Sequence, residues 1–297
     1  MQKEITQMNT EDREHRNVVF SPPTPAGVDP RIPSISVADK MKAEFGLDVS
    51  TELVPLPSGG KVYPADSPLH NKESVEIKPM TAREEDILMS RTLLKKGTII
   101  TELIKSCLVE KRVDTSELLL GDRNALMVAV RITGYGPEYV TEMECPECDA
   151  KSKYTFDLAE LPIKNLEIEP AVPGANIFEF VLPQTKKKVL FKFTTGRDEE
   201  ESSALAEKQK KLGLPADNSV TSSLQRSIVS IDGVEDRFKI SNFVKMMPAR
   251  DSLALRNYMR EHEPGVTMKQ DMTCPACGNT EEVNMPLGVT FLWPSAK

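Results

Sequence analysis

The chain has 297 residues, of which 39% are hydrophobic and 28% charged, and a formal net charge of −7. This is a globular composition with length for two domains and their cores, and the acidic balance argues against duplex nucleic acid as the main partner, because phosphate binding needs a basic surface. No apolar run reaches membrane-spanning length, and the polar, mixed-charge start "MQKEITQMNTEDREH" cannot serve as a signal peptide; the expectation is a soluble, unsecreted protein with no membrane partner.

Residues 1–50 read as an arm. "NVVFSPPTPAGVDPRIPSIS" holds five prolines between Pro22 and Pro33 and no sustained apolar period, so it cannot bury enough surface to offset its own chain entropy. Yet Val18, Val19, Phe20, Ile32, Ile35 and Val37 are too apolar for a simple spacer. A disordered tail and an extended segment lying in a partner's groove or along a sheet edge are both open readings.

The remainder contains an internal repeat. "VEIKPMTAREED" (Val75 to Asp86) lines up with "VLFKFTTGRDEE" (Val189 to Glu200). Each alternates like a strand and then reaches Thr81 with Glu84, or Thr195 with Asp198, at the spacing of a helix-capping box. Each is preceded by a turn, "LPSGGKVY" from Leu56 and "LPQTKKKV" from Leu182. Further on, one offset of 129 residues aligns Asp122 with Asp251, Arg131 with Arg260, Gly136 with Gly265 and Met143 with Met272. Over Asp122 to Leu158 ten of 37 positions are identical, where chance at ordinary composition gives roughly two or three.

The expected fold is therefore α+β: two tandem repeats, 51–166 and 167–297, each a small β unit, about three helices and a final β-hairpin. The middle helix is expected over "TIITELIKSCLVE" (Thr98 to Glu110) and over "SVTSSLQRSIVSI", whose apolar Leu224, Ile228 and Val229 are its counterpart. The last helix, "DRNALMVAVRIT", is expected to be capped by Asp122 and to stop near Gly134, with a twin from Asp251 to about His262. "EKQKKLGLPADN" from Glu207 reads as an inserted, solvated helix end and loop.

Four of the five cysteines lie in two Cys-Pro-X-Cys knuckles, "CPEC" at Cys145 to Cys148 and "CPAC" at Cys274 to Cys277. Strand-like flanks surround both. A CxxC on a hairpin tip is half of a zinc-ribbon site, and a tetrahedral ion needs two halves. No histidine lies near either knuckle, so one structural Zn²⁺ held by Cys145, Cys148, Cys274 and Cys277 satisfies all four sulfurs; iron remains open as the metal. Thioredoxin-like redox chemistry would place the pair at the start of a helix, which the strand patterns do not favour. Cys107, on the apolar face of the expected middle helix and aligned with Ser227, reads as a buried structural thiol.

No GxSxG, Walker loop, GxGxxG or HExxH occurs, and three histidines leave few general bases. No catalytic residue and no other cofactor site is assigned, and the chain reads as a non-enzyme.

"LPSGGKVY", "IKPMTAREED", "LLLGDRNALMVAVRITGYGPEY", "CPEC" and "FDL", in this order, resemble the base plate protein family of T-even-type contractile-tailed bacteriophages. The resemblance covers roughly Leu56 to Leu161; the second repeat fits it more loosely. It implies a structural component of the tail baseplate, at or near the hub, made in the host cytoplasm and carried in the virion. Its implied partners are other tail proteins, reached partly through the arm 1–50. An assembly factor that leaves the finished particle is the alternative, and a zinc-ribbon nucleic-acid-binding regulator is the alternative of another class.

Overall fold

The computed structural model describes residues 44–46, 50–213, 220–285 and 289–293, and those from Ser50 onward belong to one unit. The expectations for the arm 1–50 lie almost wholly outside the described residues, as does most of the loop in the insertion after Glu207.

The order of elements is mixed α+β. Strands β1 (Glu52–Pro55) and β2 (Ser74–Ile77) pair antiparallel, with Val54 opposite Val75. Their alternation turns Val54, Val75 and Ile77 inward. Helices α1 (Ala82–Leu88), α2 (Arg91–Lys96), α3 (Ile99–Cys107) and α4 (Leu120–Tyr135) follow. A hairpin of β3 (Glu138–Glu144) and β4 (Lys151–Asp157) comes next, then β5 (Ile163–Lys164). The second half runs through β6 (Phe178–Val181), β7 (Lys188–Phe191), α5 (Gly196–Lys211), α6 (Val220–Ser227) and β8 (Ile228–Ile231). It ends with α7 (Arg237–Met246), α8 (Ala249–His262), β9 (Gly265–Val266) and the hairpin β10 (Lys269–Thr273) and β11 (Thr280–Asn284). Among the described residues the sheets are small and antiparallel: β6-β7-β8 has three strands, and the other four have two each.

Both expected capping boxes are present. Thr81 heads α1 with Glu84 returning to its backbone, and Thr195 heads α5 with Asp198 doing the same. Two other helix expectations need correction. Asp122 does not cap α4, and Asp251 does not cap α8: the helices begin at Leu120 and Ala249, so each carboxylate lies inside the first turn and is fully buried. There each reaches sideways to hold a turn instead of its own helix end. Asp122 accepts from Ser58 N–H (2.9 Å), from Ser58 Oγ (2.6 Å) and from the Tyr63 hydroxyl, pinning the "LPSGGKVY" loop. Asp251 accepts from the N–H groups of Gln184 (2.7 Å) and Thr185 (3.0 Å) in the "LPQTKKKV" turn.

The second correction concerns the middle helices. The one expected around Leu224 to Val229 is split: α6 stops at Ser227, and Ile228–Ile231 continue as β8 against β7. Short apolar β-branched runs suit either state, and here pairing with a sheet edge decides. In the first half α3 similarly ends at Cys107, and Leu108 makes only a single bridge to Ile77.

The core is continuous through both halves. Helix α4 lies within it, burying Leu126, Met127, Val128 and Val130. Phe178, Phe191 and Phe193 form an aromatic cluster that Tyr258 of α8 joins. Backbone pairing also crosses between the halves. Leu120 N–H donates to Thr194 C=O (2.9 Å), Gly196 N–H donates to Leu118 C=O (2.9 Å), and β5 pairs with β9. At the head of α4 the chain near Pro264 passes so close to Gly121 that a Cβ there would lie 1.9 Å from the Pro264 carbonyl oxygen. No helix among the described residues is long and apolar enough to cross a membrane.

Candidate metal centre

Both knuckles sit on hairpin tips, as their flanks predict. Past the last pair of β3 and β4, Cys145 N–H donates to Ala150 C=O (3.0 Å) and Asp149 N–H to Cys145 C=O (2.9 Å). Past the end of β10 and β11, Cys274 N–H donates to Asn279 C=O (2.8 Å) and Gly278 N–H to Cys274 C=O (2.9 Å). In both, the residue after the second cysteine is left-handed, with φ of 56° at Asp149 and 72° at Gly278. Glycine takes that conformation freely, and aspartate is among the residues that tolerate it. The turn curls the chain so that amide groups face the sulfurs: Ala150 N–H lies against Cys148, Asn279 N–H against Cys277, and the N–H groups of Cys277 and Ala276 against Cys274.

The four sulfurs converge. Their ligand atoms all lie within 4.8 Å of one another, and two close contacts each join one hairpin to the other: Cys145 Sγ to Cys277 Sγ at 3.8 Å, and Cys148 Sγ to Cys274 Sγ at 3.7 Å. A tetrahedral ion with metal–sulfur bonds of about 2.3 Å needs sulfur–sulfur edges of about 3.8 Å. The donor set is thus close to what such an ion requires, and all four are free thiols.

Electrostatics points the same way. Four thiols crowded this closely cannot all ionise without a cation among them. The Cys277 and Ala276 N–H groups aimed at its sulfur hold Cys274 down to about 6. At Cys148 the Ala150 N–H also favours the thiolate, but the neighbouring sulfurs and desolvation outweigh it and push the group up to about 12. The bare cluster thus sets Cys274, which favours the thiolate, against Cys148 and Cys277, which hold their protons. A divalent cation would remove that conflict by displacing the protons.

The sequence reading passed over a small collar around the sulfurs. Cys145, Met272 and Cys274 are buried together, with Met143, Ala150, Tyr154 and Val283 packed against them, and Met143 and Tyr154 also touch the main core. The available signal was a methionine two residues before each first cysteine. Burial, then the nearby Cys274, pushes the Tyr154 phenol up. Cys107 stays outside the cluster, buried on α3, where desolvation raises its thiol to about 12 and leaves it inert. His70 and His262 are engaged elsewhere, with the carbonyls of Tyr63 and Tyr258.

A cleft of about 610 Å³, lined by the Val62–Leu69 loop, Arg112 to Leu119 and Lys192 to Asp198, holds cations that are already paired. Lys192 meets Asp198 at 2.7 Å, Arg197 meets Glu117 at 2.7 Å, and Arg112 meets Glu110 at 3.0 Å. The cysteine cluster is the stronger candidate for a functional site.

A family model described as T4 bacteriophage base plate protein matches residues 49–293, which takes in both knuckles and both buried aspartates. The chain belongs to this family. The match extends well past the first half, through the region whose motifs resemble the family more loosely. No curated protein and no solved structure matches the chain significantly.

Proposed function

We propose that this member of the base plate family is a structural component of a contractile phage tail, placed at or beside the baseplate hub and carried in the virion. The observation that supports the reading most is the family match over residues 49–293. In this reading it is not an enzyme.

The cysteine cluster has a constructional part in the proposal. Cys145, Cys148, Cys274 and Cys277 would hold one Zn²⁺ per chain. A zinc ion bound by four thiolates supplies a cross-link and has no open position for water. The hairpins β3–β4 and β10–β11 belong to separate two-stranded sheets, so the sulfurs and their apolar collar are what join the two tips.

We read the chain as two tandem repeats, 51–166 and 167–297, with this site as the clasp. Support comes from paired details: two capping boxes, two buried aspartates each holding the turn after a strand, and two knuckles of one geometry. A further pair is Lys78 N–H donating to Cys107 C=O and Lys192 N–H donating to Ser227 C=O, both at 2.8 Å, at the residues the repeat aligns. The arm 1–50 is proposed to engage a neighbouring tail protein.

Quantitative mass spectrometry of purified virions tests the function. The proposal expects the chain at a fixed stoichiometry to other baseplate proteins. Its presence in infected cells but absence from finished particles would replace this reading with that of an assembly factor.

A further inference from the structure

We propose that the Tyr154 hydroxyl donates a hydrogen bond to the Cys274 sulfur, from one hairpin to the other, and so helps the cluster hold its metal. The inference rests on the reading of the four cysteines as one metal site. Tyr154 is carried by β4, and Cys274 lies just past the end of β10. Alternation along β4 puts Ser152, Tyr154 and Phe156 on one face of their hairpin. The Tyr154 ring stacks on Phe156, with centroids 6.5 Å apart, and packs against the cluster of Cys145, Met272 and Cys274. Its oxygen is buried, yet it makes no hydrogen bond of ordinary geometry among the described residues. Buried hydroxyls almost always have a partner, so this one calls for a group that completes it. The polar groups beside it are the Ser152 hydroxyl and the sulfurs of Cys274 and Cys145. Ser152 can donate to the phenol oxygen, which leaves the phenol proton for Cys274.

Metal binding supplies the missing acceptor. A neutral thiol accepts hydrogen bonds weakly, but a metal-bound cysteine is deprotonated, and a hydrogen bond to a charged acceptor is stronger. Four thiolates outweigh the charge of a divalent ion, so every donor aimed at a sulfur stabilises the loaded centre. The other donors described at the sulfurs are backbone N–H groups. Tyr154 differs in being a side chain, so its contribution can be removed without moving the turn. It also breaks the symmetry of the repeat. The offset of 129 that equates the knuckles equates Tyr154 with Val283. Strand register agrees, with Tyr154 opposite Thr141 on β3 and Val283 opposite Gln270 on β10. Val283 packs against the same cluster but has nothing to donate. The first half therefore lends a hydrogen bond to a cysteine of the second, and Val283 returns none.

Tyr154→Phe in the full chain removes the oxygen and keeps the ring. Zinc retention against a competing chelator should fall about tenfold, as loss of a group supporting a metal ligand does. Loading both proteins with cobalt(II) gives the deciding readout. A hydrogen bond draws electron density from the sulfur, so the sulfur-to-cobalt charge-transfer band should move to longer wavelength in Tyr154→Phe. Val283→Ala, which loosens the collar without touching a donor, should leave the band in place. A band unmoved by Tyr154→Phe would overturn the inference whatever happens to retention, because packing alone would then account for the residue. A wild-type chain that takes up neither zinc nor cobalt would overturn the metal reading itself, and this inference with it.

Discussion

Asp122 and Asp251 hold matching places in the two halves of the chain and do the same work with different partners. Each lies in the first turn of a long helix, is fully buried, and ties down the loop that follows the first strand of its half. Asp122 is served by one backbone N–H and two hydroxyls, and its partners Ser58 and Tyr63 are themselves buried. Asp251 is served by two backbone N–H groups on Gln184, which is exposed, and Thr185, which is half-buried. The electrostatic consequence is opposite in sign. Burial raises the Asp122 carboxyl above its ordinary range, with the Ser58 and Tyr63 donors offsetting it only in part. At Asp251 burial works in the same direction, but the Gln184 and Thr185 donors prevail and hold the carboxyl below it. One aspartate thus sits in a dry hydroxyl network, and the other in a backbone cradle whose Gln184 is exposed.

The largest expected effect comes from removing the dry anchor. Asp122→Ala leaves the Ser58 and Tyr63 hydroxyls and an N–H buried without an acceptor and should cost roughly 3–4 kcal/mol in urea unfolding. Asp251→Ala should cost about 1–2 kcal/mol, because water can reach the exposed side of its turn. Equal losses would mean that burial of the partners does not separate the two sites.

One residue earlier, the halves differ again. Gly121→Ala pushes a Cβ into the Pro264 carbonyl, which is backbone and cannot swing aside, and should cost about 2 kcal/mol. The aligned residue in the second half is the exposed Arg250. Arg250→Ala should stay within about 0.5 kcal/mol of wild type.

The smallest effect is the pH signature. A raised folded pKa makes the Asp122 contribution present at low pH and lost as pH rises through that value; a lowered one makes the Asp251 contribution present above the ordinary carboxylate range and lost as pH falls. Asp122→Asn should therefore flatten a decline in stability on the rising side of the carboxylate range, and Asp251→Asn one on the acid side. Chemical denaturation at a series of pH values separates them, and identical profiles for the two variants would contradict the contrast.

Much of this was legible in the sequence where a local rule fixes local geometry. The capping boxes at Thr81 and Thr195 require only three-residue spacing, and the knuckles announced themselves by residue type and strand-like flanks. What failed depended on the tertiary environment. Asp122 and Asp251 look like helix caps to any local rule, and only the loops packed over them recruit the carboxylates elsewhere. Ile228 to Ile231 suit a helix until β7 offers a partner. The collar of Met143, Tyr154, Met272 and Val283 was hidden because its members come from both hairpins and meet only when the tips do.

The central claim is that the two knuckles form one shared metal site, and metal stoichiometry tests it most directly. Native mass spectrometry with elemental analysis of the purified full chain should find about one zinc per chain, bound by four thiolates. Cys145→Ser and Cys274→Ser should each lower zinc retention sharply, although they lie on different hairpins, while Cys107→Ser keeps the zinc. Two ions per chain, or none with the knuckle cysteines in disulfides, would contradict the account.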